Sequence, residues 1–576
     1  MHLSFSNRAL VGVGSTRQLC TAMSIGLAIA TSNAWAQNSI DASGPIRIES
    51  VVLEHDQPTE PNEALRKLEA NVRQAVGIYP GRSYDRSEID LALARFKSRG
   101  LVAAAQAELR YAEDGGTALV ISLRAADAKL PTPHWSDSLK LVDDGQRLLK
   151  LRVGLKGALA MSGNQWFDNG QTLTQFNPRG RYGGGRGPNG VLDLAPSVGL
   201  TGAMPLQSGA QPAYLYGNVL YLGTLSMGQD NNRSDTRSTG QWEEAYVGVV
   251  DSGVTERGTA WRANLSYGRQ SYCIGNGMLL CQIASSGGDR GADFAWPRWT
   301  GDRFLKAQLR VNHSLLEAFR FEPNDFPSTH TQLAGVNLDY DNSRGQALGF
   351  TWVTARKGQL QYYLPTGESY AREGLRAWHM RGAWKPEPGK SGFVAKAEYA
   401  RQTHSDFDMR ATGYSAEGGW QLASHSWRPM LTYRHSSTTG DDPATRRYER
   451  WDLLYSGNDI DTWVQGQLMK NIHYNSNVQV HRLMLRATPD PRWRWTAALS
   501  TYRADTRNNI GGVISNLAGK DLGSEILLVA EHFATRNVYW RFTAAALWPG
   551  SGVTHTLPMP VAKPWLVGIV QFNISY

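Results

Sequence analysis

Arginine and lysine recur at every second position in short segments of this 576-residue chain, with apolar side chains between them. Lys150, Arg152 and Lys156 alternate with Leu149, Leu151, Val153 and Leu155. Arg262 and Asn264 alternate with Trp261, Ala263 and Leu265. Lys306, Gln308 and Arg310 alternate with Leu305, Leu309 and Val311. The same pattern places His379 and Arg381, Arg434, Arg482 with Arg486, Arg494, and Arg541 opposite their own apolar neighbours. Side chains alternate across a strand, so each segment has one greasy face and one cationic face. Fixed cations on a water-facing surface do not make or break bonds. They attract anions and replace part of an anion's hydration in a narrow passage. Asp339, Glu398 beside Lys396, Glu525 and Glu531 fall on the same faces less often.

Motifs for covalent chemistry are missing. Arg179-Gly-Arg-Tyr-Gly-Gly-Gly-Arg-Gly-Pro-Asn-Gly190 is glycine-rich but lacks the Gly-Lys-Ser/Thr ending of a phosphate loop, and reads as a loop. Gly413-Tyr-Ser-Ala-Glu417 has no second glycine, so it is not a nucleophile elbow. The 13 histidines include no His-Glu-x-x-His, and no local metal-ligand spacing. No enzyme activity, cofactor or metal is expected, although distant Ser, His and Asp could still converge inside a fold. Cys20 lies near the amino terminus. Cys273 and Cys281 flank Gly275-Asn276-Gly277, where a disulfide would pin a tight turn in an oxidising compartment; two separate thiols is the other reading.

These faces need a closed sheet to carry them. The chain ends on Val567-Gly-Ile-Val-Gln-Phe-Asn-Ile-Ser-Tyr576. Leu566, Val570, Phe572, Ile574 and Tyr576 share one face; Gln571, Asn573 and Ser575 share the other. That suits the closing strand of an outer-membrane barrel. Segments 147–157, 259–268, 303–312, 333–340, 375–385, 393–402, 428–436, 478–487, 493–502, 524–532, 537–547 and 566–576 read as strands. Stretches 225–240, 321–331, 404–409 and 437–447 read as loops. Residues 146–576 have length for roughly 16 to 18 strands. The 19 Trp and 23 Tyr suit interfacial girdles, and the mean hydropathy of −0.40 does not oppose a barrel, whose lumen and loops are polar. A net charge of +9 points to an anionic partner.

The amino terminus reads as processing and delivery. Arg8 and Arg17 precede the apolar run Leu19–Ala30, and Ala34-Trp35-Ala36 suits signal-peptidase cleavage, giving a signal peptide over 1–36. Residues 37–127 read as a small α/β module. It has a strand at Ile46–Leu53, helical spacing at Leu65, Leu68, Val72 and Val76, and a capping box at Asp85 and Glu88 that opens a helix through Ile89, Leu93 and Phe96. Strands follow at Val102–Tyr111 and Ala118–Leu123. Residues 128–145 read as a linker. The order β-α-α-β-β, with Tyr84-Asp-Arg-Ser-Glu-Ile89 and Phe96-Lys-Ser-Arg-Gly-Leu101, resembles a POTRA domain. That implies a periplasmic module able to bind a protein partner.

Three later phrases, in order, resemble the alginate export family of outer-membrane porins over residues 240–576. They are Tyr267-Gly-Arg-Gln-Ser-Tyr-Cys-Ile-Gly-Asn-Gly-Met-Leu-Leu280 with Gly287-Gly-Asp-Arg-Gly291, Tyr448-Glu-Arg-Trp-Asp-Leu-Leu-Tyr-Ser-Gly457, and Asp521-Leu-Gly-Ser-Glu-Ile-Leu-Leu-Val-Ala530. The resemblance implies a barrel of about eighteen strands with an arginine-rich pore passing an acidic polysaccharide. It adds Arg269, Arg290 and Glu525 to the pore-lining arginines 152, 262, 310, 381, 434, 486, 494 and 541. The POTRA-like module and the cysteine pair depart from that family. A POTRA module with a barrel also fits the Omp85 and two-partner secretion translocators, for which sixteen strands would speak. Their Arg-Gly-aromatic loop motif is lacking: Met380-Arg-Gly-Ala-Trp384 has no adjacent aromatic. The expected surroundings are outer-membrane lipid and lipopolysaccharide on exterior cations, with no nucleic acid partner.

Overall fold

The computed structural model describes residues from Ile46 to Tyr576 with internal gaps. Outside the described residues lie 1–45, 56–77, 94–103, 125–137, 165–188, 208–212, 229–234, 285–289, 458–465, 510–515 and 557–562, with shorter stretches. The expected signal peptide, the first module helix and most of the glycine-rich segment fall there.

Eighteen antiparallel strands close into a barrel. The ring runs from Leu148–Gly163 to Trp565–Ser575, and these two pair with each other, Val570 opposite Leu159 and Ile574 opposite Leu155. Closure leaves no strand edge, which a lipid-embedded sheet requires because lipid offers no hydrogen bonds. The terminal residue joins the seam: Tyr576 N–H donates to the Val153 carbonyl at 2.9 Å, and Val153 N–H to that of Tyr576 at 3.2 Å. Short turns gather at one end, as between Val254 and Ala260, Val311 and Ser314, Asp490 and Trp493, and Thr535 and Val538. Long connections gather at the other, above all Ser271 to Thr300 and Thr438 to Val478. In outer-membrane barrels the short-turn end is periplasmic and the long-loop end extracellular.

Outward residues are apolar and exposed, including Leu265 at 54 %, Met380 at 56 % and Leu483 at 48 %. Exposed Trp242, Tyr267, Trp420, Tyr433, Trp495 and Trp548 add aromatic rings to that wall. A soluble protein would not leave so continuous an apolar surface bare. Inward neighbours of the same strands are buried, among them Asn264, Lys306, Arg310, His379, Arg434 and Arg482.

Each of the twelve segments read as strands coincides with an observed strand. Six further strands had escaped notice: Asn189–Pro205, Tyr214–Gly228, Arg237–Val254, Ser314–Pro323, Gln346–Lys357 and Ala411–Gln421. Two expected loops are therefore corrected. Strands extend to Gly228 and restart at Arg237, so 225–240 is loop only in its middle, and 321–331 begins inside the strand ending at Pro323.

The amino-terminal module holds a three-stranded sheet ordered Ser50–His55, Thr117–Arg124, Ala104–Tyr111. The first pair is parallel and the second antiparallel. The expected strand at 46–53 divides, and Ile46–Ile48 pairs instead with Arg82–Tyr84. Helical turns at 88–90 and 92–93 present Ile89, Ala92 and Leu93 to the module core. Within the segment read as linker, Lys140–Asp143 forms a short strand against the start of the barrel.

Candidate functional site

The strands carry their polar faces into a common bore. Alternation forces this: once Leu431 and Tyr433 meet lipid, Arg434 must point inward. Its cross-strand partners are Glu417 on one side and Arg482 on the other, and Arg482 lies opposite Ser500, itself opposite Glu525. Arg482 Nε donates to Ser500 Oγ at 3.0 Å. Arg486 lies four residues along the same inner face. Arg434, Arg482 and Arg486 thus form a buried cationic patch on two adjacent strands.

The other arginines named from the sequence are distributed around the wall. Arg152 donates to Asn218 at 2.8 Å and Glu244 at 2.6 Å. Arg262 and Arg310 are direct cross-strand neighbours, and Arg310 Nε donates to the Asn312 carbonyl at 3.0 Å. Arg381 donates to Thr351 at 2.8 Å, to Asn337 at 2.7 Å and to Asp339. Arg494 is ion-paired with Glu531 at 2.6 Å. Arg541 stands in register with Glu531 and Gln571. Arginine and carboxylate are interleaved, so the wall is a paired network and not a bare ring of cations.

Three residues from the family resemblance take other positions. Arg269 lies at the bulge after Gly268, in step with exposed Leu265 and Tyr267 and not with the inward Asn264 and Ser266, which corrects its expected place in the pore lining. It pairs with Asp302 at 2.6 Å and donates to the Trp242 carbonyl, so it clamps the wall near the long-loop end. Arg290 stands in the long loop after Ser271 and donates to the Asn324 side chain at 2.9 Å and carbonyl at 3.2 Å. Burial and the nearby Arg269 charge lower its pKa from the usual arginine value. Glu525 faces inward, but its carboxylate accepts the N–H groups of Gln467 at 2.7 Å, Leu468 at 3.3 Å and Met469 at 2.9 Å. It anchors the turn at Met469–Ile472, with its oxygens taken up by backbone amides.

Two long loops fold into the bore. Cys273 and Cys281 are disulfide-bonded. The segment between them carries Ile274, Met278, Leu279 and Leu280 into an apolar cluster with wall residues Phe304, Phe321, Leu333, Val353, Leu375 and Ala400. Its tip reaches strands five and six places around the ring. A Cβ on Gly275 would stand 2.7 Å from Arg381 Cδ, and Asn276 donates to Glu398. Glu398 is also bonded to His379 at 3.0 Å. The second loop joins it: Cys281 N–H donates to the Tyr455 carbonyl at 2.8 Å, and Gly457 N–H to that of Gly277 at 2.9 Å. Its Trp451, Leu454 and Tyr455 enter the same cluster. Asp452 binds Arg372 through two bonds of 2.9 and 3.0 Å, accepts from Tyr362, and takes a reciprocal pair with Gln402.

The extracellular half of the bore is therefore largely filled by apolar loop packing, not lined by water throughout as expected. Below the disulfide tip, a cavity is bounded by Arg310, Asp339, Asp341, Arg381, Lys396 and Glu398. Sequence parity named Arg310, Asp339, Arg381, Lys396 and Glu398 among its wall residues, but not Asp341. It could not supply the loop tip that roofs it, since loop trajectories carry no period.

No family model matches the chain. A stretch of 68 residues is 40 % identical to a myrosinase of Brassica napus, covering 11 % of this chain and 12 % of that protein. Among solved structures the chain is similar to the outer-membrane protein OprD of Pseudomonas aeruginosa, at a TM-score of 0.44 and 12 % identity over 74 % of this chain and 94 % of that one. It is likewise similar to Acinetobacter baumannii OccAB4, at 0.44 and 10 % over 75 % and 98 %, and to Pseudomonas aeruginosa OpdK with vanillate, at 0.43 and 12 % over 74 % and 99 %. Such identities give no residue-by-residue correspondence.

Proposed function

We propose that this chain is an outer-membrane channel whose cargo is a carboxylate-bearing polymer of the alginate type, leaving through a cation-dominated constriction. The observation that carries this reading is the inward patch Arg434, Arg482 and Arg486, set in a bore that the Cys273–Cys281 loop narrows. The eighteen-strand ring is the count implied by the exporter resemblance and not the sixteen of the protein translocators. Carboxylates such as Glu417 beside the patch keep cargo from being held too firmly, since conduction needs release as well as entry. The mixed sheet of the small module supports the POTRA-like reading, in which the module receives cargo or docks a periplasmic partner. Arg262, Arg310 and Arg541 extend the positive lining along the bore, while Arg152, Arg381 and Arg494, paired with Glu244, Asp339 and Glu531, hold the wall network in place; Arg269 and Arg290 position the wall and loop.

In planar bilayers the wild-type channel should pass chloride in preference to potassium, and uronate oligomers should block its current. The triple variant R434Q/R482Q/R486Q should lose most of that preference. An unaltered ion ratio would remove the electrostatic core of the proposal. Block by monomeric acids alone would reassign the cargo to small anionic solutes.

A further inference from the structure

The amino-terminal module touches the barrel on opposite walls. Glu88 is 3.6 Å from Lys306, on the inner face of Thr300–Val311. Tyr111 lies beneath the Arg494 guanidinium, 4.7 Å from ring centroid to Cζ, at the start of Trp493–Ala504. Those two strands are nine places apart in a ring of eighteen, in either direction. A body meeting both spans the mouth. Asp90 adds a third wall, 2.8 Å from Lys150 on Leu148–Gly163, five strands from Lys306. Residues two apart on a helix point roughly 200° from each other. The helical turn with Glu88 and Asp90 therefore lies between two walls, each acid answering the lysine on its own side.

The seat is also apolar and hydrogen-bonded. Tyr111 N–H donates to the Pro491 carbonyl at 2.7 Å, and its ring stacks on Phe533 at 4.8 Å. Phe533 and Tyr539 belong to the same buried cluster as the module's Ile89, Leu109 and Ile121. All of this lies at the short-turn end.

We infer that Lys150 and Lys306 form a carboxylate-binding subsite of the bore, and that the module's own Glu88 and Asp90 occupy it as stand-ins for acidic cargo, holding the periplasmic mouth closed. The inference rests on the proposed channel function and adds a site and its regulation. Cargo carboxylates arriving from the periplasm compete for the same two lysines. Ion pairs that are partly open to water exchange partners readily, and the side chains of Glu88 and Asp90 are about a quarter exposed. A polyacid presents many carboxylates on one chain, so it gains by multivalency over two tethered acids.

The test uses the full chain in liposomes and bilayers, with heat-modifiable gel migration as the check on folding. E88Q/D90N should raise the frequency of open events roughly tenfold, as a two-state balance released from its closed side does. K150E/K306E should do the same. Combining E88K/D90K with K150E/K306E should return opening to the wild-type level. An oligogalacturonate added on the periplasmic side should open the wild-type channel more than it opens E88Q/D90N. Unchanged opening in E88Q/D90N, or a charge-swapped chain that stays as open as its parents, overturns the latch. A channel that opens on latch release but shows no anion preference would instead refute the proposed function and leave the latch standing.

Discussion

Asp452 and Arg372 show how a residue pair can hold a loop inside a bore. Their side chains are 4 and 7 % exposed, and the carboxylate also takes Tyr362 and the backbone N–H of Leu454. Removing one member of a buried pair leaves the other charged and dry. D452N should therefore destabilise the packed loop by about 3 kcal/mol, and D452N with R372M by less. Protease nicking between 440 and 480 reads this directly. Gly275 offers a second check. Its φ of +56° suits glycine, and Arg381 leaves no space for a side chain. G275V should push the loop tip off the wall and raise single-channel conductance, with the barrel still folded by gel migration. At this scale the sequence was informative where period-2 alternation ruled, as for Arg434, Arg486 and Arg494. It was silent where a residue's partner comes from a loop. Parity rightly turned Glu525 inward but is blind to the backbone amides it receives.

At the scale of elements, the second long loop carries a proton-sensitive residue. His473 is buried and donates to the Asn477 carbonyl at 2.8 Å; burial pushes its pKa down to about 4. The packed loop holds it neutral, while the released loop would protonate it near pH 6.5. Stability of the packed state is thus full above that value and falls as pH drops from 6.5 toward 4, by up to about 3 kcal/mol. Loop protection against hydrogen exchange should decline over that interval, and H473N should flatten the profile. Closing a ring of few residues, the Cys273–Cys281 bond should stabilise the first loop by about 2 to 3 kcal/mol. C273S/C281S should accordingly show noisier current at the same mean selectivity. Two of the six strands that escaped sequence reading show a physical cause. Asn189–Pro205 carries Asp193, Pro196 and five glycines or alanines on its inner and outer faces, and Arg237–Val254 changes parity at the bulge between Trp242 and Glu244. Alternation is erased when small residues or a bulge interrupt it.

At the scale of the whole molecule, charge and shape act together. The apolar exterior demands detergent, so the unheated chain should migrate faster than the boiled one and should precipitate when detergent is removed. Raising ionic strength should both weaken anion preference and favour opening at the periplasmic mouth, because the ion pairs there are partly wet and screened within about 10 Å at 0.1 M salt. Had the barrel been an open pipe, only the first effect would be seen.

The seam between the first and last barrel strands sets the order of assembly. More than four hundred residues separate Leu155 from Ile574, its partner in register. The wall stays open until the strand Trp565–Ser575 has found Leu148–Gly163. A chain cut before Trp565 would keep seventeen strands and expose two bare rims, each ready to recruit a stranger. The weakest moment of assembly is therefore the one just before the ring is sealed.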